Sequence, residues 1–198
     1  MAFFILIASS TFVFIKSNTN FNFTLPTPFY KNPFEFLVGF RSSFILIVAL
    51  YMLMIISINV QNFGLGAFAL FFLFFIIISF YQKPESVFYV WIYALNSKQF
   101  LIKKITIAIM HSFILTLPML SGLIYFFPHY IAIIIAISLF GNILMITVLL
   151  SKYAQFPDAL APSKFLALIF SAWFPPLVIA FAIRFYLQSK KSLHTILK

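Results

Sequence analysis

The sequence predicts an all-α fold: a polytopic transmembrane helical bundle with five or six membrane segments and a short cytoplasmic interfacial helix. Two observations carry this. Apolar stretches of near-bilayer length fill most of the 198 residues, and Glu35, Glu85 and Asp158 are the only acids. A chain that is 64% hydrophobic and 8% charged has too little polar surface to cover a water-soluble globule. Helices in lipid, by contrast, satisfy their own backbone groups. Residues 1–198 therefore read as one transmembrane domain.

The first apolar stretch, 2–15, is short. Fourteen helical residues rise only ~21 Å against a hydrocarbon core of ~30 Å, so it crosses a thinned bilayer, lies partly in the interface, or is the remnant of a longer start. It lacks the basic start and small-residue cleavage site of a secretory leader. Lys16 to Arg41 form a polar connection in which Pro26, Pro28 and Pro33 prevent one continuous helix. After Pro33, Phe34, Phe36, Leu37 and Phe40 line the apolar face of a short surface helix.

Segments 42–60 and 63–81 are each long enough to span, joined by an uncharged turn at Gln61-Asn62 with Gly64 and Gly66 following. Segments 105–127 and 130–150 form a second hairpin, turned at Pro128-His129. Segment 165–187 contains Pro175-Pro176 near its middle. The two hairpin turns carry no Lys or Arg, whereas the connections 16–41, 82–104 and 151–164 are basic. The positive-inside rule makes those three cytoplasmic. The last segment breaks the pattern: a single crossing puts Lys190, Lys191 and Lys198 outside, while a re-entrant path broken at Pro175-Pro176 returns them to the cytoplasm.

The formal charge of +10 would point to nucleic acid in a soluble protein. Here basic loops meeting anionic headgroups of the lipid bilayer account for it, and no nucleic-acid partner is expected. Cysteine is absent, which excludes disulfides and thiolate metal sites. His111, His129 and His194 fall at three depths and build no metal site. Three acids and three histidines, none paired at catalytic spacing, give no expectation of an enzyme, and no cofactor is expected.

The informative connection is 82–104. Pro84 fits a helix start, with Glu85 at the positive end of the helix dipole. Val87, Phe88, Trp91, Ile92 and Leu95 then recur at i, i+1, i+4, i+5 and i+8, one helical face. Asn96-Ser97 interrupts and caps a second helix carrying Lys98, Lys103 and Lys104 into the next segment. The result is an aromatic-rich helix on the cytoplasmic surface, tied at both ends to spanning helices.

This order resembles the permease subunits of type-2 ATP-binding-cassette exporters, in which the loop after the second span carries a helix that docks on the ATPase. Glu85, the helix from Val87 to Leu95, the break Asn96-Ser97-Lys98 and the basic Lys103-Lys104 match the family's local pattern in sequence, with Asn96 where proline is common. The stretch Ser151 to Pro157, then Phe174-Pro175-Pro176, Arg184 and the basic tail look like small permease-type proteins of bacteria. The resemblance covers about residues 42–198. It implies a multi-pass protein of the bacterial cytoplasmic (inner) membrane, a separate ABC-type ATPase as partner, and a homo- or heterodimer of permease subunits. The docking residues it implies are Glu85, Phe88, Trp91, Ile92, Leu95, Ser97 and Lys98. The chain itself has no phosphate-binding Gly-x-x-x-x-Gly-Lys-Ser/Thr sequence. Family members usually have six spans, so 2–15 is an extra element here and the final span is missing or replaced by a re-entrant segment.

Two other readings stand beside that one. The aromatic residues of 82–104 also suit a belt at headgroup level, and small hydrophobic chains also serve as non-catalytic structural or assembly subunits of larger membrane complexes. Within the spans, His111, Pro118, Asn142, Pro175 and Pro176 are the polar or kink-forming positions. His111 is expected to be neutral and bonded to a backbone carbonyl, Ser112 or Thr116. Asn142 beside Gly141 is expected to support helix packing, and Pro118 to kink its helix.

Overall fold

A computed structural model describes residues 29, 34–82, 85–157, 175–194 and 197. The expected segment 2–15, most of the connection before Phe34, and positions 165–174 of the expected last segment lie outside the described residues. Those described form helices, turns and no strand. In chain order the helices are α1 (Phe34–Ser42), α2 (Phe44–Asn59), α3 (Phe63–Phe80), α4 (Val87–Trp91), α5 (Ser97–Phe126), a 3-10 turn (Pro128–Tyr130), α6 (Ile131–Ala154) and α7 (Pro175–His194).

Three stretches are long and apolar enough to cross a membrane: Phe63–Phe80, Ser97–Phe126 and Pro128–Ala154. The α1–α2 pair, bent by 67° at its break, would add a fourth only if the two helices formed one span. The expectation of five or six spans is thus met only in this coarser form. Segment 63–81 matches α3 almost residue for residue, because Asn62 starts it cleanly: its side chain accepts from the Leu65 N–H at 3.4 Å. Segment 42–60 is met by α2, which starts two residues late and ends one early, and the short helix expected after Pro33 is α1; Ser43 separates them. The segment expected at 105–127 starts eight residues earlier, because Asn96 caps Ser97 and nothing breaks the helix before Phe126.

At ~1.5 Å per residue the 30 residues of α5 rise ~45 Å. That exceeds the ~30 Å of a bilayer core, so its basic first turns project beyond it. The last turn of α6, with Lys152 and Tyr153, reaches the same end of the bundle. At the far end, Phe63 stacks on Tyr130 with ring centroids 4.1 Å apart and 7° between planes. Ser57 there donates to the Asn62 carbonyl at 2.7 Å, closing the α2–α3 turn.

The core lies between α3, α5 and α6, where Leu70, Leu73, Phe74, Met119, Leu123 and Met145 are buried. Gly141 on α6 faces the Phe74 ring of α3 so closely that an added Cβ would overlap it. Close backbone approach at a small residue is a usual way for membrane helices to associate where lipid removes the hydrophobic drive. Pro118, inside α5, has no N–H to give its own helix. The Tyr51 hydroxyl of α2 donates to the Leu115 carbonyl in that same turn.

Pro175 and Pro176 stand at the first described positions of α7, a place in a helix that suits proline, and the rest of the expected segment 165–187 before them lies outside the described residues. Every eighteen-residue stretch of α7 contains Arg184, Lys190 and Lys191, so its own composition does not qualify it to cross. Its most extensive contact is with α6. Ser189 donates to the Leu150 carbonyl at 2.7 Å and Ser192 to the Phe156 carbonyl at 2.6 Å. The C-terminal ends of α6 and α7 therefore lie together, at the basic end of the bundle.

Candidate functional site: an ion-paired cluster beneath an exposed aromatic helix

The basic end of the bundle holds two of the three acids, and both are inside it. Lys104 on α5 donates to Glu85 and lies 3.6 Å from Glu35 on α1. Lys152 on α6 donates to the other oxygen of Glu35. The Tyr153 hydroxyl donates to the second Glu85 oxygen at 3.1 Å. The side chains of Lys104 and Lys152 are 4% and 3% exposed, and those of Glu85 and Glu35 10% and 12%. One cluster thus ties together α1, the connection before α4, α5 and α6.

Local structure delivers each member. Asn96 caps α5 by accepting from the Gln99 N–H at 3.0 Å, which fixes the helix phase and turns Phe100, Leu101 and Lys104 inward. The Phe100 ring packs edge-on against Tyr153 at 5.3 Å, and Lys104 lies 5.5 Å from the Tyr93 ring centroid. These rings exclude water from the ion pairs. Two lysines and two carboxylates cancel, so a cluster that would be prohibitive as isolated charges becomes tolerable.

Both carboxylates lie outside the spanning stretches, and their environments differ. Burial pushes the Glu85 carboxyl up, but Lys104 and Lys152 outweigh it and hold it below the ordinary carboxylate range. Burial also pushes Glu35 up, and there it wins against Lys152 and Lys104, helped by the like charge of Glu85.

Directly after Glu85 comes α4. Only Val90 turns inward, while Val87, Phe88, Tyr89 and Trp91, with Ile92 just beyond, are exposed. The expected helix from Val87 to Leu95 is shorter than the apolar spacing implies. It stops after Trp91 because Ala94 takes a left-handed conformation (φ 47°), which no helix continues through. Leu95 is therefore half-buried and off the α4 face. Ser97 is buried as the first residue of α5, and Lys98 is exposed beside it.

The intramembrane positions are dispersed. His111 is 2% exposed, set against the rings of Phe29 at 5.2 Å and Phe36 at 5.0 Å. Its Nδ1 has no hydrogen-bond partner, and neither does the Ser112 hydroxyl. Of the bond expected from His111 to a carbonyl, Ser112 or Thr116, none is made by Nδ1; Thr116 turns back to the Ser112 carbonyl at 2.9 Å, and aromatic rings pack against the imidazole. Asn142 donates to the Ser138 carbonyl of its own helix at 2.8 Å. Among the described residues no group of His, Asp or Glu could hold a metal.

Sequence reasoning marked Glu85 and missed its partners. Lys104 and Lys152 read as charges of the basic connections, while Glu35 was only counted among the acids and Tyr153 was assigned no role. The available signal was scarcity: in a chain with three acids, an acid beside a spanning segment is rarely left without a cation. No known protein family, curated protein or solved structure matches this chain.

Proposed function

We propose that this chain is the membrane-embedded permease subunit of an ATP-driven transporter, energised by a separate ABC-type ATPase that docks on the 82–104 connection. The observation that carries the reading is the pairing of an exposed apolar helix with a buried anchor. Five large side chains from Val87 to Ile92 face outward, while Glu85, two residues before them, is bonded to α5 and α6. A force applied to α4 reaches two candidate spans through charge-assisted bonds, the stronger class of hydrogen bond. Transport would then proceed by rearrangement of the helices within a dimer of such subunits, in the bacterial cytoplasmic membrane with 82–104 on the cytoplasmic side. Phe88, Trp91, Ile92 and Lys98 would contact the ATPase. Glu85, Ser97 and Leu95, being wholly or partly buried, would hold that surface in place.

A second reading rests on the same exposed helix: the chain is a structural or assembly subunit, and α4 is covered by another membrane protein. A photo-activatable residue in place of Trp91, irradiated in native membranes, separates the two. Capture of a nucleotide-binding ATPase supports the permease reading. Capture of an integral membrane subunit supports the second, and adducts with lipid alone overturn both.

A further inference from the structure

We propose that Glu35 is the releasable end of a proton-sensitive latch, whose protonation frees α1 from α5 and α6 while Glu85 keeps α4 in place. The inference stands whether or not an ATPase docks.

The geometry is asymmetric. Glu85 receives Lys104 on one oxygen and the Tyr153 hydroxyl on the other. Glu35 receives Lys152 directly, and Lys104 only at 3.6 Å. The bond from Glu35 to Lys152 joins positions 117 apart in sequence. The helices that α1 packs against are otherwise α3 and α2, with Phe36 edge-on to Phe80 at 5.3 Å and touching His111 of α5. The 67° bend between α1 and α2 lets α1 swing about Ser43 without unwinding α2.

The groups that face Glu35 are Lys152 and Tyr153 from α6, Lys104 from α5, Glu85 from the connection before α4, and Tyr81 at the end of α3. His111 lies one ring contact further, across Phe36. Lys152 is 3% exposed. When Glu35 takes a proton, Lys152 keeps its charge and loses its direct partner, which is costly in a site from which water is excluded. Displacing α1 admits water to Lys152 and relieves that cost. The contacts set the order. Glu85, with a donor on each oxygen, holds its charge. Glu35, with one direct cation and a like charge beside it, accepts its proton first as pH falls, in keeping with the opposite directions in which the two carboxyls are displaced.

Because the chain has no cysteine, two can be introduced without background. Spin labels at the exposed positions Val38 on α1 and Ile102 on α5 report the latch by pulsed dipolar spectroscopy of the full chain in liposomes. At about pH 8 the wild type is expected to show one short separation, and towards about pH 5, where carboxylates titrate, a longer population that grows at its expense. Glu35→Gln is expected to show the longer population already at the higher pH, with no further change on acidification. Glu85→Gln and Glu35→Asp are expected to keep the short separation at the higher pH, and these variants separate release from misfolding. A wild-type distribution that ignores pH overturns the latch, as does a Glu85→Gln shift equal to that of Glu35→Gln.

Discussion

The Ser189 hydroxyl of α7 donates to the Leu150 carbonyl of α6 at 2.7 Å, so two helices separated by a long connection finish at the same end of the bundle. Lys190 and Lys191 follow Ser189 directly and are exposed. They therefore join Lys98 and Lys103 at the basic end. A compartment-specific reporter fused after Lys198 is expected to give the same sidedness as one inserted in 82–104. Opposite sidedness would show that α7 does not lie along α6. Shared sidedness is what the charge rule asks of a basic tail and a basic connection.

Breaking the cluster on one side is expected to be expensive. Lys104→Met leaves Glu85 with Tyr153 and a distant Lys152, and truncating one member of a buried pair typically costs ~3–5 kcal/mol. Thermal unfolding in detergent should fall accordingly, and the double variant Glu85→Gln with Lys104→Met should recover much of the loss. A double variant as unstable as the single would mean that Tyr153, not the ion pair, holds the site.

The pH dependence of Glu85 follows from its direction. Its carboxyl is held below the ordinary range when folded, so its stabilisation is complete above the unfolded value of about 4. It is lost as pH falls through the folded value. Stability of the wild type should decline on acidification below that point, and the Glu85→Gln protein should show a shallower decline over the same interval. Parallel curves for the two would remove Glu85 from the balance.

Replacing Gly141 with leucine is expected to abolish folding, since even a Cβ overlaps the Phe74 ring and both helices around it are packed. Overpacking typically costs ~1–3 kcal/mol and more where backbone must shift. Phe74→Ala in the same chain should restore part of the folded yield by opening that space. Failure of the second change to help would place the damage elsewhere on α6.

The outward side chains of α4 should matter little to the bundle. Phe88→Ser with Trp91→Ser is expected to leave the melting temperature within about 2 °C of the wild type, because exposed substitutions usually stay within ~0.5 kcal/mol. A large fall in melting temperature would mean that these rings are packed in the isolated chain.

The apolar runs and the Asn96 cap were legible because each is a local property: run length, a capping side chain, a proline. The run 63–81 became α3 on those grounds alone. The break at Ser43 was legible to within a residue or two, since Arg41-Ser42-Ser43 reads as the polar start of a span after a separate short helix. The end of α4 was hidden, because the apolar spacing through Leu95 continues past the left-handed turn at Ala94. Least legible was the bond from Glu35 to Lys152. Nothing near either residue names the other, and only packing of α1 against the bundle end brings them together.

The Tyr51 hydroxyl on the Leu115 carbonyl bears on how such a bundle could open. Leu115 lies in the turn before Pro118, and the bond its carbonyl accepts from α2 lasts only while the two helices touch. Hydrocarbon offers no substitute, so parting them at this depth forfeits a bond outright. Any widening should begin at the bundle ends, with the seam beside Pro118 the last to come undone.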